Sequence, residues 1–256
     1  MTSRQQTGRR GGKNAAAPLV SIVIPVYNEE ALLFGSVVEL VERMKKVRFP
    51  YEILLCENGS TDGTVEIGLE LERRFAQVRL LRSPAPNYGR ALRLGIETAR
   101  GEFVICEEID ILDTRFHERS LKALRADQCD MVVGSKLHPE SHDHRPFIRH
   151  TATQTINLML RLSLGFRGSD THGLKAFRRE RLLPVVASCI VEKDLFASEL
   201  VIRAERADYR ILELPVEIVE KRPPAINLFR RVPHVLMNLG QLVLAIRFNR
   251  APREHR

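Results

Sequence analysis

The chain has 256 residues, 44% of them hydrophobic and 28% charged, which suits one large globular α/β domain, or one domain with tails. Its four cysteines (Cys56, Cys106, Cys129 and Cys189) form no C-x-x-C pair, which argues against a zinc site or disulfide scaffold and for a reducing compartment. The formal charge of +8 is no nucleic-acid signature, because residues 1–17 carry +4 and residues 221–256 carry +7, leaving −3 on the 203 residues between.

In chain order, residues 1–17 are rich in Gly, Arg and Ala without periodicity and read as a disordered basic tail. No apolar core of a signal peptide follows them. Leu19–Val26 is a continuous apolar run of the kind that fills a buried parallel strand. A helical pattern runs from Glu29 to Lys46, and Tyr51–Cys56 reads as a second strand. The turn Glu57-Asn58-Gly59-Ser60-Thr61-Asp62-Gly63 leads into a helix ending near Phe75. Val78–Arg82 is a third strand, Gly89–Ala99 a helix, and Glu102–Cys106 a fourth strand.

This alternation predicts a doubly wound, mostly parallel sheet flanked by helices, with ligands beyond the carboxyl ends of its strands. The rule selects the loops Tyr27–Glu30, Glu57–Gly63 and Glu107–Asp113, all rich in carboxylates or amides. Further on, Met131–Gly134, Gly173–Phe177 and Ile211–Val219 read as strands, and Ile148–Leu164 and Ala197–Ala207 as helices. His138–Pro146 is a polar loop; its histidines, with His150 and His172, are too loosely spaced for a metal site.

Glu108-Ile109-Asp110 puts two carboxylates two apart at a strand end, an arrangement suited to Mg²⁺ or Mn²⁺ with positions left for phosphate oxygens. The order of motifs extends that reading. Ser21–Glu30, the turn Glu57–Thr64, and Asn87-Tyr88-Gly89-Arg90-Ala91-Leu92 with Gly95 and Ala99–Glu102 together resemble the family 2 glycosyltransferases of GT-A fold. Gly134-Ser135-Lys136, Ile148-Arg149-His150, Asp170–Arg179, Ser198-Glu199-Leu200 and Glu213–Val216 are similar to the dolichyl-phosphate mannose or glucose synthase branch. The chain departs from the family pattern at Glu57-Asn58, at Glu108-Ile109-Asp110 and at Leu112.

The resemblance implies a GT-A domain over 18–220 that moves a hexose, with inversion, from a UDP or GDP sugar to a polyprenyl phosphate. It implies a divalent ion on Asp110 and Glu108, and a donor pocket formed by Pro25, Tyr27, Glu29, Glu57, Asn58, Gly59, Asn87 and Gly89. Lys136, Arg149 and Lys175 would hold the acceptor phosphate. That acceptor is already anionic, so the chemistry needs no strong general base. The competing expectations are a soluble acceptor and a non-catalytic nucleotide-sugar binder.

Residues 221–256 form a basic tail in which Ile226, Phe229, Val232, Leu236, Leu239, Val243 and Ile246 recur at helical spacing. The stretch falls short of the ~20 apolar residues that span a bilayer. It predicts a cytoplasmic protein that meets the membrane surface peripherally, or packs this stripe on its own core or on a second copy in a homo-oligomer; Pro233 predicts two short helices as readily as one.

Overall fold

The computed structural model describes residues 19–47, 49–138, 140–143, 147–171, 173–192, 195–218 and 228–248; for 142–143, 147–153, 217–218, 228–236 and 238 this is the backbone alone. The expected tail 1–17, His172 and residues 221–227 lie outside them. The first half alternates strand and helix: β1 (Val20–Val26), α1 (Leu33–Met44), β2 (Tyr51–Asn58), α2 (Thr64–Arg74), β3 (Val78–Ser83), α3 (Tyr88–Thr98) and β4 (Phe103–Cys106). It continues through α4 (Thr114–Arg125), β5 (Met131–Ser135), β6 (His142–Asp143), α5 (Phe147–Leu164), β7 (Lys175–Arg178), α6 (Arg179–Ser188), α7 (Phe196–Arg206), β8 (Ile211–Pro215), β9 (Glu217–Ile218) and α8 (Leu228–Phe248).

Seven strands form one sheet in the order β3-β2-β1-β4-β7-β5-β8. β7 runs antiparallel to both neighbours and every other pairing is parallel. The expected mostly parallel sheet is therefore present, with one reversed strand. That reversal brings the start of β7 to the edge where β4 and β5 end, with Lys175 opposite Cys106 and Val133.

Buried side chains cover both faces of the sheet. Ile22, Ile24, Ile53 and Leu55 pack on one side with Leu33, Val37, Leu40 and Val41 of α1. Val23, Leu54 and Cys56 pack on the other with Ala91, Leu92 and Ile96 of α3. Burying one such aliphatic side chain contributes about 1.5–3 kcal/mol, so the alternating faces of β1 and β2 hold the two layers together. All four cysteines are buried free thiols.

Several boundaries move for physical reasons. α1 starts at Leu33, not Glu29: residues 29–32 form a turn whose Leu32 and Leu33 amides donate to Glu29 O, and the Glu29 amide is held by Thr64 Oγ1 at 2.7 Å. β8 stops at Pro215, and two residues further on β9 pairs with β6. Helices α4 and α6 lie where no helix was expected. α8 is a single helix through Pro233, not two.

Candidate active site

The strand order reverses between β1 and β4, since the chain winds outward through β2 and β3 and returns on the other side of β1. Beyond Val23 the two strands part: their last paired residues are Val23 and Cys106, and the Glu107 amide then donates to Val23 O at 3.0 Å. Pro25 faces the same side as Val23, two residues earlier, so its missing N–H falls where the ladder has ended. This is the topological switch point, beyond whose strand ends the ligands of doubly wound sheets bind.

On the β1 and β2 side, two loops clasp each other. Asn28, at φ 53°, donates its amide to Ser60 Oγ at 3.0 Å and accepts from the Thr61 amide at 2.8 Å. Glu30 Oε2 accepts from the Gly63 amide at 2.8 Å, and Asp62 accepts from the Glu30 and Thr64 amides. Gly59 adopts φ +71°, and a Cβ there would stand 2.9 Å from the Ala85–Pro86 backbone, so both the conformation and the approach require glycine. Tyr27 remains 42% exposed at the mouth, and Glu29 is half-buried.

Glu57 is buried at 2% exposure. Its Oε1 accepts from the Ser60 amide at 2.5 Å and its Oε2 lies 3.9 Å from Arg82 Nε. Asn58 accepts from the Asn87 amide, and Asn87 in turn caps α3 by accepting from the Arg90 amide at 3.0 Å and donates to Glu192 at 2.6 Å. Gly89 is buried within the first turn of α3. Of the expected donor residues, Tyr27 is the one widely open to solvent, while Glu57, Asn58 and Asn87 brace the turn and the helix start.

The acidic loop closes the other wall. Glu108 and Asp110 are both half-buried. Burial raises the Glu108 carboxyl above the ordinary carboxylate range; the Asp110 charge adds to this, while Lys136, Lys175 and the Tyr88 hydroxyl pull the other way. Lys175 is 2% exposed, donates to Gly173 O at 2.6 Å, and has its pKa lowered by burial, against the opposing pull of the Asp170 and Glu108 carboxyls. Asp170, also buried, accepts from the Lys136 amide at 3.2 Å. A Cβ on Gly173 would overlap the Gly134 carbonyl, so β5 and the segment before β7 can close only around glycine.

Glu108, Asp110, Lys136 and Lys175 thus converge at one edge of the sheet. Arg149 has its backbone in the first turn of α5, and its side chain lies outside the described atoms. The residues missed in the sequence are Tyr88, whose hydroxyl donates to Glu108 at 3.3 Å, and Asp170, each inside a recognised motif, together with Glu192. Two half-buried carboxylates on one loop at the strand ends fit a divalent cation completed by a diphosphate. No cluster of three or more His, Cys, Asp or Glu suited to a metal occurs among the described residues, so the substrate's oxygens would have to complete the shell.

This is the architecture of an α/β nucleotide-binding transferase. Residues 21–183 match glycosyl transferase family 2, and the chain belongs to that family. It is 32% identical over 213 residues to a dolichyl-phosphate beta-glucosyltransferase of Trichomonas vaginalis, covering 77% of this chain and 65% of that protein. It is 28% identical over 241 residues to glycosyltransferase AglD of Haloferax volcanii, covering 92% of this chain. The chain spans 38% of the length of AglD and about two-thirds of the Trichomonas protein. The fold is similar to glucosyl-3-phosphoglycerate synthase of Mycobacterium tuberculosis, solved with Mn²⁺, UDP and glucosyl-3-phosphoglycerate (TM-score 0.62, 18% identity, 93% of this chain and 81% of that one). A complex of that synthase with Mg²⁺ and UDP aligns at TM-score 0.60, with 20% identity over 87% of this chain and 79% of that one. The GT-A fold expected from the motifs is the fold found.

Proposed function

We propose that the chain transfers a hexose, with inversion, from a nucleoside diphosphate sugar to a polyprenyl phosphate. The observation that carries this is the gathering of Glu108 and its neighbour Asp110 with Lys136 and Lys175 where β4 and β5 end and β7 begins, carboxylates from one loop and cations from the other strands. A phosphate oxygen of the acceptor forms a bond to the anomeric carbon as the bond from that carbon to the diphosphate oxygen breaks. Lys136 and Lys175, with Arg149, hold the acceptor phosphate and neutralise its charge on approach. Glu108 and Asp110 would hold Mg²⁺ or Mn²⁺, which when bound would supply Lewis-acid stabilisation to the departing diphosphate. The clasped loops carrying Pro25, Tyr27, Glu29 and Gly59 bound the nucleoside pocket. Support for the donor comes from UDP in neighbours of the same fold, and for the acceptor from the name of the Trichomonas relative.

The test is to incubate the protein with Mn²⁺, UDP-glucose or GDP-mannose, and a short-chain polyprenyl phosphate, and to read glycolipid by mass spectrometry. Formation of a polyprenyl phosphohexose supports the reading. Transfer to a soluble phosphate acceptor alone would replace the lipid, and binding without transfer or hydrolysis would make the protein a sugar-nucleotide binder.

No helix among the described residues is long and apolar enough to cross a membrane. We place the protein peripherally at a bilayer, where the acceptor resides. The expected stripe does not serve that role in its described part: Ile246 is buried and Leu239 and Val243 pack on the core. Among the described side chains the outward apolar residues of these helices are Met237, Leu244 and Phe248 of α8 and Leu158 and Leu162 of α5, and the two helices pack on each other.

A further inference from the structure

We infer that Glu107 and His117 form a clasp that fixes the shape of loop 107–113, and so the aim of Glu108 and Asp110; both are positioning residues, and the inference rests on the metal reading of that loop. Glu107 is the first residue past β4, and its amide extends the ladder to Val23 O at 3.0 Å, so its backbone is fixed to the sheet. Its side chain is 1% exposed. Oε1 accepts from the Asp113 amide at 3.0 Å, and Oε2 meets Nε2 of His117, itself 2% exposed. One carboxylate therefore ties the start of the loop to its end, six residues later, and to the first turn of α4.

The far end is fixed a second time. Asp113 caps α4 by accepting from the Arg115 and Phe116 amides at 3.0 and 3.1 Å. Arg43 of α1 donates to Leu112 O at 3.2 Å, where Leu112 holds φ +42°. Ile109 and Leu112 point into the core beneath the loop. Glu108 and Asp110 are left half-buried on a span whose ends and apolar residues are all held. Burying an acid beside an imidazole is more costly than filling the same space with an apolar side chain, so what the pair gives the protein is geometry. Mg²⁺ demands near-ideal octahedral ligands, and partners behind the ligating groups typically alter metal affinity 10–100-fold. His117 also lines a cavity of about 320 Å³ with Arg43, Lys46 and Phe49. That cavity shares no lining residue with the candidate site, so the clasp lies between the loop and a separate face of the molecule.

The experiment is Mn²⁺ binding to the full chain, with UDP present, read by electron paramagnetic resonance, with melting temperatures measured alongside. Glu107→Ala and His117→Phe are expected to weaken Mn²⁺ by about 10–100-fold while kcat recovers at saturating Mn²⁺. Glu107→Gln keeps an acceptor for the Asp113 amide and can donate to a neutral imidazole, so its Mn²⁺ affinity should return to within about threefold of the parent. Unchanged affinity in a folded Glu107→Ala or His117→Phe variant, or a Gln variant as weak as the Ala one, overturns the clasp. His117→Phe leaves the Glu107–Asp113 bond in place and carries the test if Glu107→Ala does not fold. Failure of the parent itself to bind Mn²⁺ with UDP overturns the metal reading, and the clasp's role with it.

Discussion

The Tyr88 hydroxyl donates to Glu108 Oε1 at 3.3 Å, joining the first turn of α3 to the acidic loop. Glu108 is one methylene longer than an aspartate, and this bond restrains the extra reach. A hydrogen bond to a charged group is worth about 1.5–3 kcal/mol when well formed, and at 3.3 Å the lower end applies. Tyr88→Phe should therefore raise the Mn²⁺ concentration needed for half-maximal turnover by roughly tenfold, leaving turnover at saturating Mn²⁺ nearly intact. A metal titration of the steady-state rate checks it; an unchanged midpoint would separate Tyr88 from the metal.

Asp110→Asn removes charge from a half-buried loop residue without touching the core. Transfer should fall by at least about 100-fold, the scale lost when one group stabilising transition-state charge is removed, with the melting temperature unchanged. Glu108→Gln should cost less, because the Tyr88 hydroxyl already shares its carboxyl with the ion while Asp110 has no such partner among the described residues. Near-normal turnover of Asp110→Asn with metal present would move the metal elsewhere.

Glu57 tests how the turn and the base pocket share one side chain. Its Oε1 holds the Ser60 amide, so Glu57→Ala strips a buried partner and should destabilise the fold by about 1–3 kcal/mol. Glu57→Gln keeps an acceptor for Ser60 and should melt near the parent. If the remaining oxygen reads the base, the Gln variant will show a raised KM for the donor with kcat held, since such a contact acts equally in ground and transition states. A selective loss of kcat would place Glu57 near the reacting carbon.

The parallel half of the sheet was legible because β1, β2 and β4 are near-continuous apolar runs buried on both faces, a pattern that admits few alternatives. The reversal of β7 was not, because Lys175–Arg178 carries nothing in its own composition that sets strand direction. Helix α4 had a readable start in Asp113 followed by Phe116, Leu121 and Leu124, but charged and polar residues between them dilute the apolar period. Helix α6 carries Pro184, which argues against a helix on local grounds and is overridden by burial of Leu182, Val185 and Val186. In the site, the sequence pointed to Glu108 and Asp110 for a metal and, apart from them, to Lys136, Arg149 and Lys175 for an acceptor phosphate; that Glu108 lies near Lys136 and Lys175 depends on the reversed β7 and was not legible. Glu107 escaped notice because an acid beside two others reads as more of the same charge, and only burial shows that it faces inward.

Asp130 sets an acid limit on the fold. Burial works against its ionisation, but hydrogen bonds from Arg210 and Arg181 outweigh that and hold its carboxyl at about 2, below the ordinary 3.8. A depressed folded-state value means the stabilisation is present above the unfolded value and lost as pH falls through the folded one. Solvent screens the half-exposed arginines, so about 1 kcal/mol should vanish between about pH 4 and 2. Asp130→Asn should flatten that limb of a stability-versus-pH curve; an equally steep limb in the variant would assign acid lability to other carboxylates.

Membrane contact can be tested on the outward faces of α5 and α8. Removing α8 is a poor test, because Leu242 and Ile246 fill the core and Arg203 donates to Ala245 O at 3.3 Å. Substituting Met237, Leu244 and Phe248 by Ser leaves those contacts in place, since all three are more than half exposed. Arg247 lies beside this surface and donates to Ser163 O at 2.7 Å, tying the last turn of α8 to α5. Wild-type protein should float with anionic vesicles, and less so in high salt, because exposed apolar side chains and flanking cations act together at an interface. The triple Ser variant should stay at the bottom of the gradient with its melting temperature preserved, and should keep turnover on a water-soluble short-chain acceptor while losing it on acceptor embedded in vesicles. Equal flotation of parent and variant would move membrane contact away from α8. Flotation of neither would favour an acceptor met in solution.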